Sequence, residues 1–501
     1  LIHGPAIRLG LLFFFTYAYF IQRPSWNPNS RFDLVRALVE RGRVDIDPYH
    51  HNTGDKAFAR GHHFSDKAPG AAFFAVIPYA VTLGVMRATG SDPPQSVVVG
   101  RDGVMEPARA RGDGEDDVVV SPSYRVALAV CALFTSGLAG ALAVASLFTR
   151  LVARGFSAGD ARLGALALGG GSLWFPYATM FYGHVLAGSL AFIAFALVDG
   201  HAGGRVSVAR FLGAGALGGA AVVCELPVAI VVAAVAVFAR ARGAARGFVW
   251  FVAATVAPLA GLAVYNAAAF GDPFVLGYER LARADFAAGM SHGVLGVGLP
   301  RPDALLAILA GRSRGLLWTA PVLLLGFVGF FVWLRGRTRD AAALTAAAVV
   351  VAFLLFNAGY FMWWGGHALG PRHFIPALPF LCLAIPWALP RAPGRGSRSV
   401  RRLAWALLAV SVANMLLATA VGPEAPPTAD VLLDHVYTRA VTGNLPPPGG
   451  GTTNLGRLAG LPGGWSLAPL AALWLVPLSA WMAPDRPLQT RARGSDEGTP
   501  P

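Results

Sequence analysis

Residues 341–360 read AAALTAAAVVVAFLLFNAGY, twenty positions without a single charged side chain. An α-helix rises about 1.5 Å per residue, so such a run crosses the ~30 Å hydrocarbon core of a bilayer. Comparable tracts lie on both sides of it, at 5–21, 71–88, 124–149, 161–178, 183–199, 208–222, 226–239, 247–268, 316–334, 374–390, 403–421 and 465–482. The whole chain of 501 residues is 55% hydrophobic and 14% charged, with a mean hydropathy of +0.54, which is too apolar for a soluble protein. In lipid only helices and closed barrels satisfy every backbone group, and these continuous runs lack the alternation of barrel strands. The expected fold is therefore all-α, a polytopic integral membrane protein of about 12–13 transmembrane helices. Its expected organisation is a transmembrane domain over 1–421, a Pro/Gly-rich loop over 422–464, and a last span with a basic tail over 465–501.

The formal charge is +14, but the basic residues fall in short clusters between apolar tracts, which argues against a nucleic-acid partner. Their spacing sets topology instead. Arg150/Arg154/Arg162, Arg205/Arg210, Arg240/Arg242/Arg246, Arg335/Arg337/Arg339 and Arg391/Arg395/Arg398/Arg401/Arg402 occupy every second loop, followed by Arg486/Arg491/Arg493 in the tail. Positive residues beside spans stay in the cytoplasm, so the 269–315 loop, the Trp363-Trp364 loop and the 422–464 loop are expected outside. The acidic 89–123 loop, with Asp113, Glu115, Asp116 and Asp117, joins them there, solvated like the Pro446-Pro447-Pro448 stretch. The first loop, 22–70, falls inside if tract 71–88 crosses fully, and outside if that tract, which contains Pro78, is tilted or re-entrant; the second alternative is preferred. Cys131, Cys224 and Cys382 sit in or beside apolar tracts without paired spacing, which predicts neither disulfides nor a zinc site. The first tract lacks a small-residue cleavage site and reads as a retained span.

The first loop carries the densest chemistry. Asn29 opens a predicted amphipathic helix through Glu40 with Phe32, Val35, Leu38 and Val39 on one face, suited to the membrane surface, and with Arg31 and Arg36 toward headgroups. The 41 basic residues include only two lysines, Lys56 and Lys67, hence 39 arginines, and both lysines sit in an Asp-Lys-Ala triplet, Asp55-Lys56-Ala57 and Asp66-Lys67-Ala68. A chain that otherwise always chooses arginine uses lysine here for a compact charge on a flexible stem, suited to a phosphate oxygen. His50-His51 and His62-His63 flank the triplets, yet adjacent histidines point apart and no helical ligand pair appears, so no metal or other cofactor is expected. Further on, Phe175 to His184 forms an aromatic turn between spans, Cys224-Glu225 puts a carboxylate at a span junction, and Trp363-Trp364-Gly365-Gly366-His367…Gly370-Pro371-Arg372 joins close-approach glycines to a cation.

These elements resemble the GT-C membrane glycosyltransferases, the group of lipid A aminoarabinose transferases and protein O-mannosyltransferases. Phe64-Ser65-Asp66-Lys67-Ala68-Pro69-Gly70 is similar to the family's aromatic-acid-Lys-Pro element, and Lys67 matches the lysine that holds the donor phosphate. A bacterial branch shares Ser-Asp-Lys-Ala-Pro-Gly, Tyr265-Asn266, Phe270-Gly271-Asp272-Pro273 and Trp-Trp-Gly-Gly with Gly-Pro-Arg. One departure stands out, because the family's catalytic Asp-Glu pair falls on Pro28-Asn29. The resemblance implies an enzyme of the cytoplasmic membrane that transfers sugar from a polyprenyl-phosphate donor to a glycan, lipid or protein acceptor at the outer face. Lys67, Arg31 and Arg372 are the expected donor-phosphate cations; Asp33, one helical turn beyond Asn29, and Asp55 are the candidate bases; Asn29, Asp66, His184, Trp364 and His367 are the expected substrate contacts. Two other readings stay open, a transporter or flippase for a lipid-linked molecule and a non-catalytic relative that binds lipid phosphate.

Overall fold

The structure is a computed structural model and describes residues 4–99, 105–106, 118–200, 205–336, 340–392, 394–442 and 452–482. The acidic run Asp113 to Asp117, Arg337, Arg339, the Pro446-Pro447-Pro448 stretch and the arginines of the tail lie outside the described residues. Each apolar tract becomes helical: α1 (Gly4–Ala18), α3 (Gly70–Ala88), α4 (Pro122–Ala153), α5 (Ala158–Gly169), α6 (Gly183–Asp199), α7 (Val208–Cys224), α8 (Ala229–Phe270), α9 (Leu324–Leu334), α10 (Ala341–Gly359), α11 (Leu378–Ala384), α12 (Arg395–Val421) and α13 (Ala468–Met482). Between α1 and α3 lies α2 (Trp26–Arg36). Among the described residues five helices are long and apolar enough to cross a bilayer, and shorter apolar helices pack beside them, as in a multi-pass membrane protein.

Local chemistry fixes the ends. Ser121 Oγ accepts the Tyr124 N–H and Pro122 fills the first turn of α4, Ser157 caps α5 through the Asp160 N–H, and Asp340 caps α10 through the Ala342 N–H. Gly271 stops α8 at φ +85°. Within α8 the backbone leaves helical geometry at Gly243 and Ala244, so the stretch is two spans joined by a tight turn, matching the two tracts read from sequence.

The bundle has two chemically distinct ends. At one, Arg154 reaches Asp199 at 2.7 Å and Asp340 at 3.0 Å, Arg242 donates to the Asp199 carbonyl, and Arg401 pairs with Asp160. This is where the alternating arginine loops gather. At the other end meet the first loop, the α7–α8 junction, the 271–301 segment, the Trp364 turn and the chain after α12. There Phe20-Ile21 pairs antiparallel with Thr453-Asn454, so the flank of the last loop, expected to be solvated, is strapped onto the end of α1.

The first loop therefore lies opposite the arginines, and α3 explains how. Its start packs against Cys224, where a Cβ on Gly70 would come within 2.6 Å of the Cys224 nitrogen. Beyond its end the Pro94 carbonyl accepts from Arg36, Asn52 Nδ2 reaches Ser96 Oγ, and Ser121 N bonds the Gln95 carbonyl. Both flanks of α3 thus open on the same side of the bundle, in line with the re-entrant alternative.

The helix of the first loop begins at Trp26, three residues before Asn29, and Asn27 through Arg36 are all buried. Arg31 and Arg36 do not face outward: Arg36 pairs with Glu40 and lies 4.0 Å over the Tyr49 ring, and Arg31 points to the α7–α8 junction. After α2 comes a hairpin, β1 (Lys56–Ala59) and β2 (His62–Ser65), turned by Arg60 at φ +52° and Gly61 at φ +79°, the left-handed pair that a two-residue type I′ turn requires.

Candidate functional site

Hairpin register builds the centre of the site. Lys56 faces Ser65 and Ala57 faces Phe64, so Asp55 and Asp66 are the next facing positions at the hairpin's open end. Lys67 then turns back between them, its Nζ 3.0 Å from Asp55 Oδ2 and 3.0 Å from Asp66 Oδ2. The two Asp-Lys-Ala triplets meet in space because the chain between them is one hairpin. Burial would discharge Lys67, but the two carboxylates outweigh it and hold the ammonium above its ordinary value. Burial pushes Asp66 up to about 6, against the pull of Lys67, and Asp66 Oδ1 has no hydrogen-bond partner among the described residues. Lys56 faces away, toward the His50 carbonyl at 3.2 Å.

Arg31 spends all three faces of its guanidinium on the protein: Asn27 Oδ1 at 3.1 Å, the Ala68 carbonyl at 3.1 Å and Glu225 Oε1 at 2.7 Å. That ties α2 to the Lys67 turn and to the α7–α8 junction, and makes Arg31 a girder of the site. Arg372 differs. Its guanidinium lies 5.5 Å over the Tyr182 ring, its Nε is buried without a hydrogen-bond partner, and it makes no ion pair with any described residue.

Two cavities open here. The smaller, about 280 Å³, is lined by Arg31, Asp66, Lys67, His184 and His373 on one side and by Leu226, Leu281, Val294, Leu295 and Phe356 on the other. The larger, about 670 Å³, is the more polar of the two, lined among others by Gln22, Arg23, Trp364, His367, Glu424 and Arg439. Asn27, Asp55, Phe286, Met362 and Arg372 line both and form the partition.

Of the residues expected from sequence, Lys67, Arg31, Arg372, Asp55, Asp66 and His184 converge on the smaller cavity, and Trp364 and His367 on the larger. Asp33 and Asn29 line neither. Asp33 is fully buried on the far face of α2, accepting from Asn52 Nδ2 at 3.1 Å, and Asn29 Oδ1 accepts from the Tyr124 hydroxyl at 3.1 Å. The helix is rotated so that Arg31 takes the cavity, which turns Asp33 toward α4. Among the described residues Asp45, Asp47 and His62 approach one another within 4.8 Å, but Asp45 is already paired with Arg41 and Arg43, and Asp47 with His62.

Sequence reading missed two residues. Glu424 accepts from Arg23 at 3.1 Å, Ser25 at 2.5 Å and the Tyr182 hydroxyl at 2.9 Å, joining loops 400 residues apart. Arg314, fully buried, brackets the Trp364, Gly366 and Ala425 carbonyls at 2.8, 3.0 and 3.3 Å. Gly365 and Gly366, at φ +73° and +69°, supply the turn that presents two of those carbonyls, so their role is conformational.

No family model matches the chain, and no curated protein matches it by sequence. Among solved structures it is similar to ArnT from Cupriavidus metallidurans bound to undecaprenyl phosphate, at 15% identity over 95% of this chain and 71% of that one, TM-score 0.47. The apo state of the same protein gives 15% identity over 87% and 77%, TM-score 0.44. AglB, an oligosaccharyltransferase from Archaeoglobus fulgidus in complex with an inhibitory peptide and a dolichol-phosphate, gives 12% identity over 89% and 58%, TM-score 0.42. Both proteins are GT-C glycosyltransferases, the superfamily the sequence resembles. With TM-scores below 0.5, these likenesses leave the reading of the site to its own side chains.

Proposed function

We propose that this protein is a glycosyltransferase of the cytoplasmic membrane that moves a sugar from a polyprenyl-phosphate donor to an acceptor hydroxyl at the outer face. One observation carries the reading: Arg372 is a cation without a carboxylate in ion-pair contact among the described residues, set in the partition between an apolar-walled cavity and a more polar one. With Asp55 and Glu424 acting on it only from beyond ion-pair distance, its guanidinium is left to an anion supplied by a ligand. A lipid phosphate fits, with its chain along Leu226, Leu281 and Phe356 and its charge between Arg372 and Lys67.

In the transfer, the acceptor oxygen bonds to the anomeric carbon while the bond from that carbon to the phosphate oxygen breaks. The electron pair leaves on the phosphate, where Lys67 and Arg372 stabilise it. The acceptor proton goes to a carboxylate, and Asp55 is the one that lines both cavities without an arginine partner. Lys67 holds Asp55 until the phosphate draws the ammonium away. Asp33 has no part in this, since it lines neither cavity. The arginine clusters at the opposite end of the bundle support an outward-facing site.

The test is transfer from radiolabelled polyprenyl-phosphate sugars by purified protein in lipid nanodiscs. Asp55→Asn is expected to lower turnover by about 10² to 10⁴ with donor binding retained, and Arg372→Gln to weaken donor binding. A wild-type protein that binds these donors and never transfers sugar would make it a non-catalytic lipid-phosphate binder; normal turnover by Asp55→Asn would move the base elsewhere.

A further inference from the structure

The wall of the smaller cavity beside Lys67 holds two histidines that the transfer chemistry leaves unused. His184 begins α6 and is 5% exposed, and the His373 ring meets it edge to face at 5.5 Å. Both line the cavity, and the Nε2 atom of each is buried with no hydrogen-bond partner among the described residues. Two such atoms in one wall are unusual, because a buried polar atom left unpaired costs stability that a bound group can restore.

Glu225 sets the first of them. Its Oε1 takes Arg31 Nη2 at 2.7 Å and lies 3.4 Å from His184 Nδ1. A carboxylate there favours the tautomer with its proton on Nδ1, which leaves Nε2, buried in the wall, as an acceptor. Gly183 makes the arrangement possible, since a Cβ at that position would collide with the Glu225 carboxylate.

The remaining charges decide what fits. Asp55 and Asp66 share Lys67 and Glu225 takes Arg31, so each carboxylate of this wall already faces a cation. The wall offers neutral imidazole nitrogens next to the cations assigned to the phosphate. We propose that His184 and His373 seat hydroxyl groups of the donor's sugar, with Glu225 as a positioning residue. This rests on the polyprenyl-phosphate donor reading above.

Binding in nanodiscs tests it with four probes: polyprenyl phosphate, its neutral hexosyl and pentosyl esters, and an aminopentosyl ester. His184→Asn keeps an amide near the Nδ1 position for Glu225 and removes Nε2, whereas His184→Gln places an amide near Nε2. The expected result is that the wild type binds a neutral ester more tightly than bare polyprenyl phosphate. His184→Asn and His373→Asn then weaken that neutral ester by about tenfold while changing bare polyprenyl phosphate by less than about twofold, and His184→Gln recovers part of the loss. Unchanged affinity of the variants for every ester, or parallel loss of bare and glycosylated lipid, would each overturn the sugar seat. Bare phosphate binding intact in the wild type would confine that failure to the seat; a wild type that binds none of the four probes would remove the donor reading together with it.

Discussion

Asp33 is a carboxyl group that the fold keeps neutral. Burial pushes its pKa up to about 8, Arg36 and Asn52 offset this only in part, and one of its oxygens has no partner among the described residues. Because the folded value lies above the unfolded value of roughly 4, folding favours the protonated form. The contribution is full below about pH 4 and is lost as pH rises through about 8. Thermal unfolding in detergent should therefore show a midpoint falling between pH 4 and pH 8, and Asp33→Asn, which never ionises, should flatten that slope. Parallel slopes for the two proteins would show that Asp33 is not the group responsible. At this scale the sequence was informative about which residues matter and silent about rotation. Lys67, Asp55 and Arg372 stand out by residue type and neighbours alone. Asp33 also stood out, one turn beyond the family's acid, but a rotation of α2 about its axis decides whether Arg31 or Asp33 meets the cavity, and that depends on Glu225, nearly two hundred residues away.

Among the elements, the α3 start is where backbone meets backbone. A Cβ on Gly70 would lie 2.6 Å from the Cys224 nitrogen and from the Val223 carbonyl carbon, between the Lys67 turn and Glu225. Gly70→Ala should force the two apart, costing about 1–3 kcal/mol of stability and weakening donor binding. Gly84, in the same helix with nothing within 4 Å, is the control: Gly84→Ala should leave binding unchanged and raise stability by about 0.4–1 kcal/mol, as an alanine in a helix interior does. Melting curves and lipid binding for the pair would check both; equal behaviour of the two variants would refute the close-approach account. The glycine was visible in the Ser-Asp-Lys-Ala-Pro-Gly run, but its reason, contact with the end of α7, was not. Arg314 was invisible for a related cause: besides the Ser313 carbonyl, its partners are carbonyls 50 to 111 residues away, and a carbonyl carries no mark in a sequence.

For the molecule as a whole, hydropathy located the spans because lipid imposes one simple demand on every crossing segment, and the arginine alternation separated the two ends for the same reason. What neither could give was how deep α3 goes, since a tilted helix and a crossing one can have the same composition. Single-cysteine labelling, in a background lacking the three buried native cysteines, resolves it. Arg60→Cys, Thr89→Cys and His292→Cys should react with an impermeant reagent from outside, and Arg335→Cys and Arg398→Cys only after permeabilisation. Thr89→Cys protected until permeabilisation would mean that α3 crosses.

For the machinery that threads the nascent chain into the bilayer, α3 is a decoy. Its nineteen residues qualify as a membrane crossing by length and composition, yet both its flanks open on the same side of the bundle. Were it threaded through, every later segment would be installed upside down, with the arginine clusters translocated and the cavities turned inward. What opposes such an outcome is the preference of the later arginine clusters for the cytoplasm, although none of those arginines lines either cavity.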